Sequence, residues 1–132
     1  MPSFDVVTPQ RSYRAIVERG VLKETGSHIP ASAGKIFIVT TQDVWQFHCH
    51  HLAAALAGRS HEILIFPGGE EHKRLSTVES LAEQMVQRGG DRSSLVIAFG
   101  GGVVNDVAGF LAAVFMRGVP VLQIPTTLLA QV

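Results

Sequence analysis

Four short apolar runs recur along the chain: "KIFIVT" (Lys35 to Thr40), "EILIF" (Glu62 to Phe66), "SLVIAF" (Ser94 to Phe99) and "PVLQIP" (Pro120 to Pro125). Each has strand length and, apart from Gln123 in the last, is apolar at consecutive positions, the pattern of a strand covered on both faces. Between them the spacing turns helical. Val44, Phe47, Leu52 and Ala55 mark one helix, closed by Gly58. "STVESLAEQMVQRGG" marks a second: Ser76 with Glu79 has the form of a capping box, and Gly89-Gly90 forms a stop. A third starts near Val103, with apolar positions at Val103, Val104, Val107, Phe110, Leu111, Val114 and Phe115. Upstream, after the opening "SFDVV", "RSYRAIVERGVL" reads as a short strand turned by Gly20 into a brief helix.

Strands alternating with helices predict an α/β fold: a Rossmann-like parallel sheet with helices on both faces. The polar content follows the same rhythm. "TTQD" (Thr40 to Asp43), "GGEEHK" (Gly68 to Lys73), "GGGVVND" (Gly100 to Asp106) and "PTT" (Pro125 to Thr127) follow the four apolar runs in turn. Every such cluster lies beyond the carboxyl end of a strand, the edge where open α/β sheets bind ligands.

The glycine triplet carries the sharpest chemical signal. Gly100, Gly101 and Gly102 remove three side chains where a strand turns into a helix. Amides at a helix start point outward unpaired and carry partial positive charge, so a phosphate can approach them closely. The small residues Ala108, Gly109, Ala112 and Ala113 allow a neighbouring element near the same helix. The spacing is not the G-x-G-x-x-G fingerprint, because no third glycine follows Gly102 in register. Asp106, within one turn of the helix start, would repel a phosphate in direct contact. Its reading is to hold the loop or a sugar hydroxyl.

Composition narrows the partners. The 132 residues suit one domain; 11 Lys and Arg balance 11 Asp and Glu, which excludes nucleic acid or a membrane surface held by bulk charge. Cys49 is alone, so no intramolecular disulfide forms and a cytoplasmic location is expected. No apolar run is long enough to span a bilayer. The chain stops at "PTTLLAQV", in the first turns of an expected helix, and reads as the front part of something longer.

"GGGVVNDVAGFLAAVFMRGVPVLQIPTTLLAQV" closely resembles the signature region of the 3-dehydroquinate synthase family, sugar-phosphate cyclases of the shikimate pathway. "PGGEEHK" and "RSYRAIVERGVL" resemble the same family, in the same order and at similar spacing. The resemblance implies that residues 1–132 form the N-terminal NAD-binding domain of a longer two-domain enzyme. It implies conversion of 3-deoxy-arabino-heptulosonate 7-phosphate to 3-dehydroquinate and phosphate, with NAD and a divalent metal, zinc or cobalt, as cofactors. The metal ligands would lie in a C-terminal domain outside this chain, and the full-length enzyme would be a homodimer acting on a small sugar phosphate.

Residue by residue, the resemblance assigns Gly68, Gly69, Glu70, Glu71, His72 and Lys73 to NAD, together with Gly102, Val103, Val104, Asn105 and Asp106, and the pair Thr126 and Thr127. Arg117, in "FMRG", matches an arginine associated with the substrate phosphate. No catalytic residue is assigned within the chain. The chain departs from the family pattern at Gly68, where Asp is common, at His72, where an aromatic residue is common, and at Asn105, where many members carry Gly. Thr41 stands where an acidic residue often binds the adenosine ribose, with Asp43 two places on, and both remain minor candidates.

"HCHH" (His48 to His51) suggests metal, but one helical turn points these side chains in divergent directions. A packed or surface histidine cluster fits better, and no metal site is expected here. Trp45 reads as packing. Two other enzymes compete: a related cyclase of secondary metabolism, such as a deoxy-inosose or valiolone synthase, and a metal-dependent alcohol or glycerol dehydrogenase. The dehydrogenases typically carry Lys three residues after the aspartate, where this chain has Gly109. A standalone nucleotide-binding module is the non-catalytic alternative.

Overall fold

The computed structural model describes residues 3–56, 58–127 and 129–131. Four parallel strands, β3 (Ile36–Thr40), β4 (His61–Ile65), β5 (Leu95–Gly100) and β6 (Val121–Pro125), form one sheet in the order β4-β3-β5-β6. Three helices connect them: α1 (Gln42–Ala55), α2 (Leu75–Gln87) and α3 (Gly102–Val114). All four strands and three helices fall on the segments that hydrophobic spacing predicts.

The strand order fixes where the helices go. From β3 the chain steps outward to β4, then crosses back over β3 to reach β5, and continues to β6. Right-handed crossovers in opposite directions place their helices on opposite faces. Accordingly α1 covers one face and α2 with α3 the other. Alternate residues of the two central strands split between the two cores. Phe37, Val39, Val96 and Ala98 pack with Leu81 and Met85 of α2 and with Val107, Ala108 and Leu111 of α3. Ile36, Ile38, Ile97 and Phe99 pack with Leu52 of α1 and with Leu56 and Ile29. β3 is buried at every position, as is β5.

The first two strands stand apart. β1 (Ser3–Val7) and β2 (Ser12–Ile16) form an antiparallel hairpin of their own, which the opening sequence did not predict for Ser3–Val7. One face of it carries Phe4 and Tyr13, 61% and 58% exposed. A 3₁₀ segment, Val21–His28, follows Gly20 at φ 76° and packs on α1.

Two local expectations fare differently. The glycine stop of α2 is present in full: Gly89 has φ 86°, its N–H reaches the carbonyl of Val86 at 3.2 Å, and that of Gly90 reaches Met85 at 2.7 Å. This is the double hydrogen bond of a left-handed C-terminal cap. The capping box is absent. α2 begins one residue before Ser76, with Arg74 at the cap position and no side-chain hydrogen bond there. Phe47 also leaves the apolar stripe of α1 and is 75% exposed. No helix of the described residues is long and apolar enough to cross a membrane.

Candidate functional site

The reversal of strand order falls between β3 and β5. Helices leaving these two strands depart to opposite faces, so a crevice opens beyond their carboxyl ends, the usual ligand position in such sheets. Its floor is fixed by Thr40. The buried Thr40 hydroxyl donates to the carbonyl of Phe99 at 2.7 Å, tying the end of β3 to that of β5.

The three glycines divide their work. A Cβ on Gly100 would lie 2.7 Å from Cγ2 of Val104, so this glycine is required by packing. A Cβ on Gly101 would touch Thr127 at an ordinary 3.4 Å. At Gly102 nothing among the described residues lies within 4 Å of a Cβ, so the space above the first turn of α3 is open to them. Gly101 occupies the cap position, so no side-chain cap among the described residues covers the leading amides of α3, which point outward. Gly101 and Gly102 thus leave the start of α3 open among the described residues, while Gly100 holds the turn.

Around this opening the fold gathers the other clusters. The amide of Thr126 bonds the carbonyl of Gly100 at 2.9 Å, which sets the Thr126-Thr127 pair beside the glycines. Thr127 Oγ1 accepts from the amide of Ala130 at 3.2 Å, leaving its own hydrogen to donate. Leu128 lies outside the described residues. Asn105, buried in the first turn of α3, donates from Nδ2 to the carbonyl of Ala130 at 3.2 Å. Its Oδ1 is enclosed and has no partner among the described residues. Val103 and Val104 pack inward with the α2–α3 core, so their part in the rim is played by the backbone.

The loop after β4 closes the other side. Gly68, at φ 79°, lies against Thr41: a Cβ there would come within 2.8 Å of Thr41 Cγ2. The absence of a side chain at Gly68 therefore leaves the space that the Thr41 methyl occupies. Glu70, Glu71 and His72 form a single 3₁₀ turn. From its end Lys73 reaches α3, its Nζ 2.7 Å from Oδ2 of Asp106 and 4.0 Å from Glu70. The hydrogen bond to Asp106, then the charges of Asp106 and Glu70, raise the Lys73 ammonium above its ordinary value. Sequence spacing gave no sign of this pair, because 33 positions of chain separate two residues on different loops. Asp43, in the first turn of α1, accepts from the Thr41 hydroxyl at 2.5 Å. That bond, followed by the Val44 amide, holds its carboxyl below the usual range.

Arg117 is not brought to this rim. It sits past the other end of α3, beside the start of β6, about 20 Å from Gly102 by helical rise. Met116 and Arg117 both have left-handed backbone, φ 48° and 69°, before Gly118 at φ 112°. Both side chains are exposed. The histidine cluster stays dispersed: His48 meets the ring of Phe99 edge-on at 6.1 Å. Among the described residues no group of three His, Cys, Asp or Glu side chains could hold a metal.

The comparisons agree with this architecture. Residues 63–132, just over half of the chain, match the family model described as 3-dehydroquinate synthase N-terminal. A 3-dehydroquinate synthase from Solibacter usitatus (strain Ellin6076) is 65% identical over 132 residues, covering 100% of this chain and 37% of its own length. The chain thus spans little more than a third of that curated relative. Among solved structures, 2-deoxy-scyllo-inosose synthase complexed with carbaglucose-6-phosphate, NAD+ and Co2+ superposes with a TM-score of 0.88 at 32% identity, over 98% of this chain and 36% of that one. The 2-epi-5-epi-valiolone synthase from Streptomyces hygroscopicus subsp. jinggangensis 5008, with NAD+ and Zn2+ bound, gives 0.72 at 28% identity, over 92% and 34%. From the matched signature, the similarity across the whole chain and the shared sheet, the chain belongs to the 3-dehydroquinate synthase family.

Proposed function

We propose that the carboxyl rim of this sheet binds NAD, and that the chain is the NAD-binding part of a 3-dehydroquinate synthase. The observation that carries the reading is Gly102: the first turn of α3 offers amides with no side-chain cap, under space open among the described residues, at the point where strand order reverses. The diphosphate would lie on the amides of Gly102, Val103 and Val104, with hydroxyls from Thr126 and Thr127 alongside. The loop from Gly68 to Lys73, including Glu70, Glu71 and His72, would cover the other side. Asp106 would accept from a ribose hydroxyl. Asn105 would act through its bond to Ala130, holding the turn that follows the threonines.

NAD supplies a reversible hydride acceptor. The chain's own part is to grip the dinucleotide and orient it. The substrate would be 3-deoxy-arabino-heptulosonate 7-phosphate, released as 3-dehydroquinate and phosphate, and Arg117 would hold the substrate phosphate bidentately. The divalent metal, zinc or cobalt, would be held by a domain outside these residues, in a homodimeric cytoplasmic enzyme. The second reading is a related sugar-phosphate cyclase that would use the same rim, and it is favoured by the TM-score of 0.88 to the inosose synthase.

The test has two parts. Titration with NAD is expected to shift backbone amide resonances at 68–73, 102–106 and 126–127, with weak affinity. Assay of dehydroquinate formation from the heptulosonate phosphate is expected to give no turnover by the 132-residue chain, with or without zinc or cobalt. Shifts confined to other residues would refute the rim, and metal-dependent turnover would show that the catalytic centre lies within the chain.

A further inference from the structure

Lys73 and Asp106 belong to loops that follow β4 and β5, and in the sheet β3 lies between those strands. Their contact therefore passes over the carboxyl end of β3, above the crevice, where Gly68 of the same loop already rests on Thr41. In this arrangement the ammonium is neutralised before any ligand arrives. A bare anion at the α3 amides has two options. It can leave Lys73 on Asp106 and gain nothing from it, or draw Lys73 away and strand the Asp106 carboxylate beside a negative ligand. A ligand that joins an anion to a nearby hydroxyl avoids both penalties. Its phosphate takes Lys73, and its hydroxyl donates to the vacated carboxylate.

We propose that the Lys73–Asp106 pair is a specificity gate, which favours a diphosphate joined to a ribose over inorganic phosphate or pyrophosphate. The inference rests on the NAD reading of the rim and adds what the rim rejects. Asp106 acts on bare anions through Lys73, by occupying it, and touches only a ligand that brings a hydroxyl.

The experiment is an NMR titration of the ¹⁵N-labelled chain at low ionic strength, with NAD and inorganic pyrophosphate as separate probes. Both side chains are about half exposed, so their exchange leaves the core alone. Asp106→Asn is expected to raise pyrophosphate affinity about two- to fivefold, the range of an exposed ion pair. The same change is expected to lower NAD affinity, so that the preference for NAD narrows. In a Lys73→Gln background, Asp106→Asn is expected to leave pyrophosphate affinity unmoved. A rise that persists in that background would mean simple charge removal and overturn the gate, as would a parallel change for both ligands. Wild-type chain that binds neither probe would remove the NAD reading and the gate with it, a result distinct from NAD binding that Asp106→Asn leaves unaltered.

Discussion

The two edges of the parallel sheet use their polar groups in opposite ways. At the amino edge, charges are spent on the chain itself. Lys35 Nζ donates to the carbonyl of Arg88 at 2.8 Å, Arg88 donates to that of Ile63 at 2.9 Å, and Arg59 reaches Ile29 and Pro30. Glu62 sits between Lys35 and Arg88, at 3.8 and 3.7 Å. At the carboxyl edge the leading amides of α3 have no side-chain cap, and the charges form one exposed pair across a crevice. An edge that satisfies itself closes the fold, while one that leaves donors open is available to a ligand. Arg117 complicates the contrast, because it is an exposed cation held at the amino edge on strained backbone.

The largest effect at the carboxyl edge is expected from Gly102→Val. A Cβ there meets nothing among the described residues but stands over the leading amides of α3. NAD affinity is expected to fall at least about 100-fold by titration, the order of losing two charge-assisted hydrogen bonds. The thermal midpoint should stay near wild type. Gly100→Val, two residues earlier, collides with Val104 and should instead destabilise the fold by about 1–3 kcal/mol. Equal behaviour of the two variants would erase the distinction between the open helix start and the turn.

Arg117→Ala tests the exception. In an enzyme carrying this chain with its substrate domain, loss of a phosphate partner is expected to weaken substrate by about 2–5 kcal/mol, read from KM. NAD affinity should barely move, since some 20 Å separate Arg117 from the rim by helical rise. Collapse of NAD binding with intact substrate affinity would place Arg117 on the wrong ligand.

Glu62→Ala probes the amino edge. It removes two partly exposed ion pairs, so chemical denaturation should register a loss of about 1 kcal/mol or less. NAD affinity is expected to stay the same, and a tenfold loss would show that the two edges are coupled.

The smallest effect concerns pH. Asp43 has its carboxyl lowered by the Thr41 hydroxyl, so its contribution to stability is present above its unfolded value of 3.8. It is lost as pH falls through the lower folded value. Thr41→Val should move the Asp43 titration, followed by carboxyl ¹³C shifts, upward toward 3.8. An unchanged midpoint would mean that the Val44 amide, not Thr41, governs it.

Residues adjacent in sequence announced most of the fold. The runs at Lys35 and Ser94 had strand character because burial on both faces demands apolar residues at every position, whereas those at Glu62 and Pro120 form the sheet's edges and are only partly buried. The Gly89 stop was legible because a left-handed cap needs the residue that tolerates it. Ser76 misled: the capping-box spacing was present, but α2 starts at Leu75 with Arg74 at its cap, two positions before Ser76. The glycine triplet, and a signature shared with a known family, located the candidate rim.

What the linear chain could not express is distance between loops. Strand order decided that the loop after β4 would reach α3 across β3, pairing Lys73 with Asp106. Packing decided that Gly100 serves the turn while Gly102 opens to a ligand, although both are glycines in one run. Helix direction decided that Arg117 would sit at the other edge from Asp106, although eleven residues separate them. Hydrophobic periodicity is a local property and survives in the sequence. Which polar groups meet, and which are left unpaired, depends on contacts between elements far apart in the chain, and those exist only after the sheet has formed.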